Sequence, residues 1–132
     1  SLVRNFLSSS TFFVVGATNR RDKFGNKVLR CYQQHGRAVT PVHPALAAIE
    51  GLRAYAALRD VPAALRPPLD CGVSVITSPA VTLGVVQQAH ELGLRKLWLQ
   101  PGAESEEVVA LAAALGMELI YGGPCVLVEL GY

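Results

Sequence analysis

Short, almost uninterrupted apolar runs recur along this chain, and each is followed by a turn and then by a segment with helical spacing. The clearest runs occupy residues 11–16, 71–77 and 95–100. Such runs are typical of strands that are buried on both faces, as in a parallel sheet covered by helices on either side. This alternation favours an α/β fold over an all-helical or all-strand architecture.

Turn and capping residues divide the chain between these runs. Predicted helices are one of about three turns that ends at Gly36, one from Pro79 to Leu92 with Ser78 as its N-cap, and one from Ser105 to Leu115. Further signals predict strands over 37–42 and 117–121, a short edge strand at 51–55, a helical turn within 57–65 and an extended tail at 126–128. The pattern predicts a doubly wound, Rossmann-like domain with a mainly parallel sheet of about five strands and helices on both faces.

Length and composition narrow the class of protein. A chain of 132 residues corresponds to one domain, residues 1–132, because domains usually contain roughly 100–200 residues. Hydrophobic residues make up 51% and the formal net charge is only +2, which disfavours a dedicated nucleic-acid-binding role. No apolar run approaches the ~18 residues of a membrane span, and residues 1–10 lack the apolar core of a signal peptide. We therefore expect a soluble, cytoplasmic protein; whether residues precede Ser1 in the native chain is left open.

In a doubly wound sheet, ligands bind outside the carboxyl ends of the strands. The residues that follow the predicted strands are therefore the candidates for a site, and they fall in segments 16–25, 42–44, 77–79, 100–102 and 122–125. Residues 16–25, called the glycine loop below, have a glycine at each end. Glycines there allow a backbone to approach a phosphate that faces the N-terminus of the following helix.

Positive charge is concentrated around this loop. Residues 20–30 hold five of the twelve basic residues and a single acid, Asp22. A positive potential at a helix N-terminus suits a polyanionic ligand. Arg20 and Lys23 are candidates for phosphate contacts, whereas Lys27 and Arg30 are better interpreted as the solvated face of the helix.

A reader of nicotinamide dinucleotides usually carries an acid about 20 residues beyond its glycines, where it accepts from ribose hydroxyls. Between Asp22 and Glu50 this chain has no acid, and Pro41-Val42-His43-Pro44 occupies the expected position. This weakens the case for NAD. His43 is a candidate for packing an adenine ring or meeting a 3′-phosphate, and the alternative is a loop histidine with backbone or water partners.

A catalytic set is not evident. His35 is predicted to end the first helix and His90 to lie on the second, so neither follows a strand. The three cysteines are widely spaced without a C-x-x-C pair, which indicates neither a disulfide framework nor a zinc site. Cys31 and Cys71 are interpreted as packed thiols, whereas Cys125 follows the last strand on the predicted ligand side.

Taken in order, four segments and a cysteine resemble the coenzyme A-binding domain family, whose best known member domain is the N-terminal part of the succinyl-coenzyme A synthetase alpha subunit. The matching stretches are Val14-Val15-Gly16-Ala17-Thr18-Asn19 with Lys23-Phe24-Gly25-Asn26, Val39-Thr40-Pro41-Val42-His43-Pro44, Val73-Ser74-Val75-Ile76-Thr77-Ser78-Pro79, Leu97-Trp98-Leu99-Gln100-Pro101-Gly102, and Cys125 after Gly-Pro. The resemblance spans about residues 10–129, and the small stand-alone members look closest.

The resemblance implies a non-covalent coenzyme A site. The implied pyrophosphate contacts are Gly16, Ala17, Thr18, Asn19 and Arg20, with Lys23, Phe24 and Gly25 beside them. The adenosine end would lie toward Pro41, His43 and Pro44, and the pantetheine would run past Thr77, Ser78, Pro79 and Gln100 with Cys125 toward the thiol. Relatives usually have Asn where this chain has His43, and the basic residue that the synthetases place soon afterwards is absent. The part of the synthetase that holds its phosphorylated histidine has no counterpart here, so the resemblance implies binding without catalysis.

Three functions remain in competition at this point. The first is a non-catalytic coenzyme A-binding module that acts as a carrier, sensor or regulatory subunit. The second is an oxidoreductase of the NAD(P)-binding superfamily, with NADP as the alternative cofactor. The third makes Cys125 a redox thiol that forms a mixed disulfide with coenzyme A. All three predict a small nucleotide ligand and neither a nucleic acid nor a membrane as partner. The protein client, the acyl group and the oligomeric state are left open.

Overall fold

The computed structural model of this chain describes residues 1–131 and has the alternating order of strands and helices that the sequence predicts. The strands are β1 (Thr11–Val15), β2 (Ala38–Val42), β3 (Ala48–Ile49), β4 (Leu52–Arg53), β5 (Cys71–Val75), β6 (Lys96–Leu99) and β7 (Glu118–Ile120). The α-helices are α1 (Leu2–Leu7), α2 (Phe24–Gln34), α3 (Pro79–Glu91), α4 (Glu106–Ala114) and α5 (Val126–Leu130), and Leu58–Asp60 and Ala63–Leu65 form 3₁₀ turns.

Five strands form one fully parallel sheet in the order β2-β1-β5-β6-β7. Strand β2 pairs with one side of β1, and β5, which comes later in the chain, pairs with the other side of β1. The strand order therefore reverses between β1 and β5. In open α/β sheets a ligand crevice forms at such a switch point. The prediction of a doubly wound, Rossmann-like sheet of about five strands is confirmed, and the predicted strand ends agree with the structure to within two residues.

Alternating side chains of each strand build two cores, one on each face of the sheet. Phe12 and Val14 of β1 belong to the core that contains residues of α2 and α5, whereas Phe13 and Val15 belong to the core under α3 and α4. This follows from the two-residue side-chain period of a strand. The longest helix, α3, has 13 residues, and within residues 1–131 no helix is long and apolar enough to cross a membrane.

The predicted extended tail at 126–128 is wrong, because these residues open helix α5. The β-branched valines favour a strand locally, but Val126 is fully buried and Leu127 and Leu130 pack against the core beside α2. This packing places apolar residues four apart on one side, as a helix requires. Gly131, with φ +76°, then ends the helix in the left-handed conformation.

The segment predicted as a short edge strand at 51–55 is also different in the structure. Leu52–Arg53 pairs antiparallel with Ala48–Ile49, so the segment forms a small hairpin and is not a strand of the main sheet. Tyr55 alone reaches the sheet, through a bridge to Val42. The predicted helical turn within 57–65 is present as two 3₁₀ turns, and helix α1 had no sequence prediction.

Candidate functional site

Two glycines bring the backbone of the glycine loop into direct contact with its neighbours. Gly16 follows β1 with φ +98°, and a Cβ placed there would lie 2.7 Å from the carbonyl oxygen of Ile76. Gly25 lies in the first turn of α2, and its Cβ would lie 2.1 Å from the carbonyl oxygen of Gly16. Only glycine fits at either position. The first turn of α2 therefore rests on the backbone that leaves β1.

The N-termini of two helices lie at the carboxyl edge of the sheet. Helix α2 begins after Lys23, which makes no side-chain cap, and its first turn holds no acid. Helix α3 begins after Ser78 with Pro79 at its start; Ser78 holds the N-cap position as predicted, but its hydroxyl makes no capping bond. Helix N-termini attract anions through their unpaired N–H groups and the positive end of the helix dipole.

A cavity of about 420 Å³ opens at the switch point between β1 and β5. Four predicted site residues line it, namely Gly16, Val42, Pro44 and Thr77. The remaining walls come from the 3₁₀ turn and from α3 and are lined by Ala56, Ala57, Leu58, Arg59, Val81, Gly84, Val85, Gln87, Gln88 and Glu91, with Val15 at the end of β1. The sequence analysis predicted a helix at α3 but did not assign these residues of α3, or residues 56–59, to the site, because they lie outside the short segments that directly follow the predicted strands.

Thr77 is held in place by the first turn of α3. Its hydroxyl lies 2.8 Å from the hydroxyl of Thr82, which also donates to the carbonyl of Ser78 at 2.9 Å. Thr82 is fully buried, whereas Thr77 is partly exposed at the cavity. This contact fixes the loop that joins β5 to α3.

The basic residues of the glycine loop differ in their partners. Arg20 is exposed and makes an ion pair with Asp22 at 3.3 Å, with both side chains about two-thirds exposed. Pairs this exposed are weak. Arg21 instead binds the Glu50 carboxylate through two nitrogens, at 2.9 and 3.3 Å, and only 12% of the Glu50 side chain is exposed. Lys23 is exposed at the start of α2.

Glu50 and Asn26 are parts of this site that the sequence analysis missed. Asn26 is fully buried and donates to the Thr18 carbonyl and to the Glu50 carboxylate, both at 2.8 Å. Hydrogen bonds from Arg21 and Asn26 hold the pKa of Glu50 below its usual value. An acid thus lies beside the glycine loop. The sequence did not indicate this contact, because Glu50 follows Asn26 by 24 residues.

His43 uses its ring for the backbone of its own turn. Its Nδ1 accepts from the amides of Ala45 and Leu46, at 3.0 and 3.2 Å. The neutral ring therefore carries its proton on Nε2. Of the two roles that the sequence analysis considered for His43, the structure shows the loop histidine with backbone partners. In the same segment, Pro41 is buried and Pro44 is exposed at the cavity.

Gln100 and Cys125 form a second group of predicted residues, which does not line the cavity. Gln100 is fully buried; its Oε1 accepts from the amide of Val126 at 3.3 Å, while its Nε2 has no partner within the described chain. Trp98 donates to the carbonyl of Pro124 at 2.9 Å. These two contacts tie the segment after β7 to the end of β6. Cys125 is partly buried at the start of α5.

The other two cysteines are packed, as predicted. Cys31 and Cys71 are both fully buried. Burial raises the pKa of Cys31, and it raises the pKa of Cys71 to about 11. Cys71 also donates to the carbonyl of Pro67 at 3.0 Å. Of the three cysteines, Cys125 is the one that is not fully buried.

Comparisons with known proteins give one family model and several similar proteins. A family model described as "CoA binding domain" matches residues 10–131. A conserved hypothetical protein from Pyrococcus furiosus is 36% identical, with a TM-score of 0.80, and the match covers 92% of this chain and 98% of that one. YneT of Bacillus subtilis (strain 168) is 26% identical over 112 residues, which are 85% of this chain and 79% of that protein.

A much larger enzyme contains a similar domain. The dinucleotide-forming acetyl-coenzyme A synthetase 1 of Ca. Korarchaeum cryptofilum is 26% identical, with a TM-score of 0.73. The match covers 90% of this chain but 27% of the synthetase. The similarity therefore extends to one part of that enzyme.

Proposed function

This chain belongs to the CoA binding domain family, and from that premise we propose that it binds coenzyme A at the carboxyl edge of its sheet without carrying out a reaction of its own. The observation that carries this proposal is the cavity at the β1/β5 switch point, which is lined by Gly16. Gly25 packs against the backbone of Gly16. The cavity volume of about 420 Å³ lies within the range of pockets that hold small molecules.

The pyrophosphate is proposed to lie on the glycine loop. Gly16 lines the cavity where the loop begins, and the first turn of α2 contains no acidic residue of its own and no side-chain cap. Arg20 and Lys23 are exposed beside it and supply positive charge. Thr18 and Asn19 shape the loop, since Thr18 accepts from the Arg20 amide at 3.2 Å.

The two ends of the ligand are proposed to leave the loop in opposite directions. The adenosine end lies toward Pro41, His43 and Pro44, where the apolar walls of the cavity suit a base. His43 is oriented by Ala45 and Leu46 so that its Nε2–H remains as the donor for a phosphate oxygen. The pantetheine runs past residues 77–79 toward Gln100 and Cys125.

A binding role fits the extent of the similarity to larger proteins. The chain corresponds to 27% of the Korarchaeum synthetase, so that enzyme's reaction is not carried over to this protein. We propose that the chain acts as a carrier, sensor or regulatory subunit for coenzyme A or its thioesters. Within residues 1–131 no cluster of His, Cys, Asp or Glu could hold a metal ion.

Calorimetric titration of the reduced protein tests this proposal. Coenzyme A is the ligand, and 3′-dephospho-coenzyme A and NADP are the comparisons in the same buffer. We expect micromolar binding of coenzyme A that weakens when the 3′-phosphate is missing. Tighter binding of NADP would favour the oxidoreductase alternative. If none of the three ligands gives a heat of binding, the chain shares the fold of the family but not its ligand.

Charge variants locate the phosphates in the same titration. Arg20→Ala and Lys23→Ala are each expected to weaken binding roughly 3- to 10-fold, the loss of one charge-assisted contact at an exposed site. Arg4→Ala is the matched control, because Arg4 is exposed on α1 and precedes β1 at the opposite edge of the sheet. Equal effects of all three variants would mean that only overall charge matters and would contradict the loop assignment.

A second candidate function rests on Cys125, which is only partly buried. The Cys125 thiolate would attack the disulfide of oxidised coenzyme A, forming a protein–coenzyme A mixed disulfide and releasing one coenzyme A thiolate. Intact mass after incubation with oxidised coenzyme A is expected to rise by one coenzyme A in the wild type and not in Cys125→Ser. Absence of an adduct on the wild type would eliminate this function.

A further inference from the structure

Glu50 has a backbone conformation that its residue type disfavours. It lies at the tip of the β3–β4 hairpin with φ +48°, and Gly51 beside it has φ +79°. Two successive positive φ angles are typical of a type I′ hairpin turn, where Asn, Asp and Gly are preferred. Glu50 is the single non-glycine residue with positive φ in the described part of the chain. Conformations of this kind persist only when the surroundings hold them.

Four side chains hold Glu50, and all of them come from the glycine loop or from α2. Asn19 accepts from the Glu50 amide through Oδ1, at 3.1 Å, and Gln33 donates to the Glu50 carbonyl, also at 3.1 Å. Arg21 and Asn26 donate to the carboxylate, with closest distances of 2.9 and 2.8 Å. Every polar group of Glu50 thus has a partner on the glycine loop or on α2, although the residue belongs to a separate hairpin.

Asn26 links this contact to the path of the loop itself. Its amide nitrogen donates both to the Glu50 carboxylate and to the Thr18 carbonyl, and its Oδ1 accepts from Arg30 at 2.6 Å. A second connection runs from Asn19 to the Ala48 carbonyl at 3.0 Å. The hairpin is therefore joined to the loop directly at Asn19 and, through Asn26, at Thr18.

We propose that Glu50 is a positioning residue, which fixes the glycine loop in its ligand-binding shape and keeps Arg21 turned away from the phosphates. The proposal rests on the function proposed above. Glu50 does not touch the ligand in this account, and Arg20 and Lys23 supply the cationic contacts. A loop held in its bound shape before binding loses less conformational entropy when the ligand arrives.

The first test needs no ligand. Backbone amides of residues 17–23 are followed by hydrogen exchange in the wild type, Glu50→Gly, Glu50→Gln and the control Glu107→Gln, whose acid is exposed on α4. We expect exchange in this segment to rise about tenfold or more in Glu50→Gly, less in Glu50→Gln, and not in the control, while β5 stays protected in all four. Unchanged exchange at residues 17–23 in both Glu50 variants would overturn the proposal.

The second test separates positioning from simple stability. Glycine at position 50 relieves the unfavourable φ while removing the carboxylate, so Glu50→Gly is expected to keep a melting temperature close to that of the wild type. Its dissociation constant for coenzyme A is nevertheless expected to rise about tenfold, with a smaller rise for Glu50→Gln. Affinities within twofold of the wild type for both variants would refute positioning. Failure of the wild type itself to bind coenzyme A would defeat the proposed function and leave the exchange test standing.

Discussion

Replacing Gly25 with alanine tests whether the close contact between α2 and the backbone that follows β1 restricts position 25 to glycine. The added Cβ would lie 2.1 Å from the Gly16 carbonyl oxygen, whereas ordinary contacts begin at 3.4 Å. Relief therefore needs a shift of about 1.3 Å of either the first helical turn or the loop. The contact is with a backbone carbonyl, which cannot rotate away as a flexible side chain can.

The magnitude follows from two opposing effects of Gly25→Ala. Overpacking of this kind costs about 1–3 kcal/mol, and alanine recovers about 0.5–1 kcal/mol of helix propensity. We expect the free energy of unfolding to fall by about 1–2 kcal/mol, which lowers the melting temperature of a chain of this length by roughly 3–10 °C. Coenzyme A affinity should fall as well, because the shift displaces Gly16.

Gly84→Ala is the matched control for the stability measurement. Gly84 is exposed in the interior of α3, and a Cβ there would meet no heavy atom within 4 Å. The same substitution in a helix should therefore stabilise by about 0.5–1 kcal/mol. Urea unfolding followed by circular dichroism measures both variants. If Gly25→Ala is as stable as Gly84→Ala, the reasoning from the 2.1 Å contact is wrong.

Three further predictions address the network, the thiols and the core. The pKa of Glu50 is lowered on folding, so this residue stabilises the fold fully above its ordinary pKa of 4.5, and the stabilisation is lost as the pH falls toward the lowered value. In urea titrations between pH 3 and 6, the free energy of unfolding should therefore fall less steeply with pH in Glu50→Gln than in the wild type. A maleimide reagent at pH 7 should label Cys125 in the folded protein and the other two cysteines only after unfolding, as peptide mass mapping would show. Tyr32→Phe should cost about 1–2 kcal/mol, because it leaves the fully buried Ser74 hydroxyl without its 2.7 Å partner; Ser74→Ala in the same chain should recover part of this loss in urea unfolding.

The sheet was predictable because each of its strands carries its own signal. The runs at 11–16 and 71–77 are apolar on both faces and end at glycine, serine or proline, so their burial and bounds follow from local chemistry. The β1/β5 switch point then follows from strand order, which places Gly16 and Thr77 at one edge. The resemblance to a known family added the ligand class, which neither strand pattern nor composition contains.

The parts that sequence did not predict depend on contacts between distant residues. Val126–Leu130 is helical because its apolar side packs against the core beside α2. The three apolar residues at 126–128 cannot by themselves distinguish a strand from a buried helix. The hydrogen bond from Asn26 to Glu50 joins residues 24 apart and produces no periodic pattern in the sequence. The cavity wall at residues 56–59 comes from an irregular segment that leads into the 3₁₀ turn Leu58–Asp60.

A titration of the isotope-labelled protein with coenzyme A, followed by amide chemical shifts, tests the central claim most directly, because it reports affinity and location together. The account predicts saturable shifts at Gly16, Ala17 and Thr77 and at the first turn of α2, with the strand interiors of β6 and β7 unchanged. Shifts confined to other surfaces, or no shifts at millimolar coenzyme A, would contradict it.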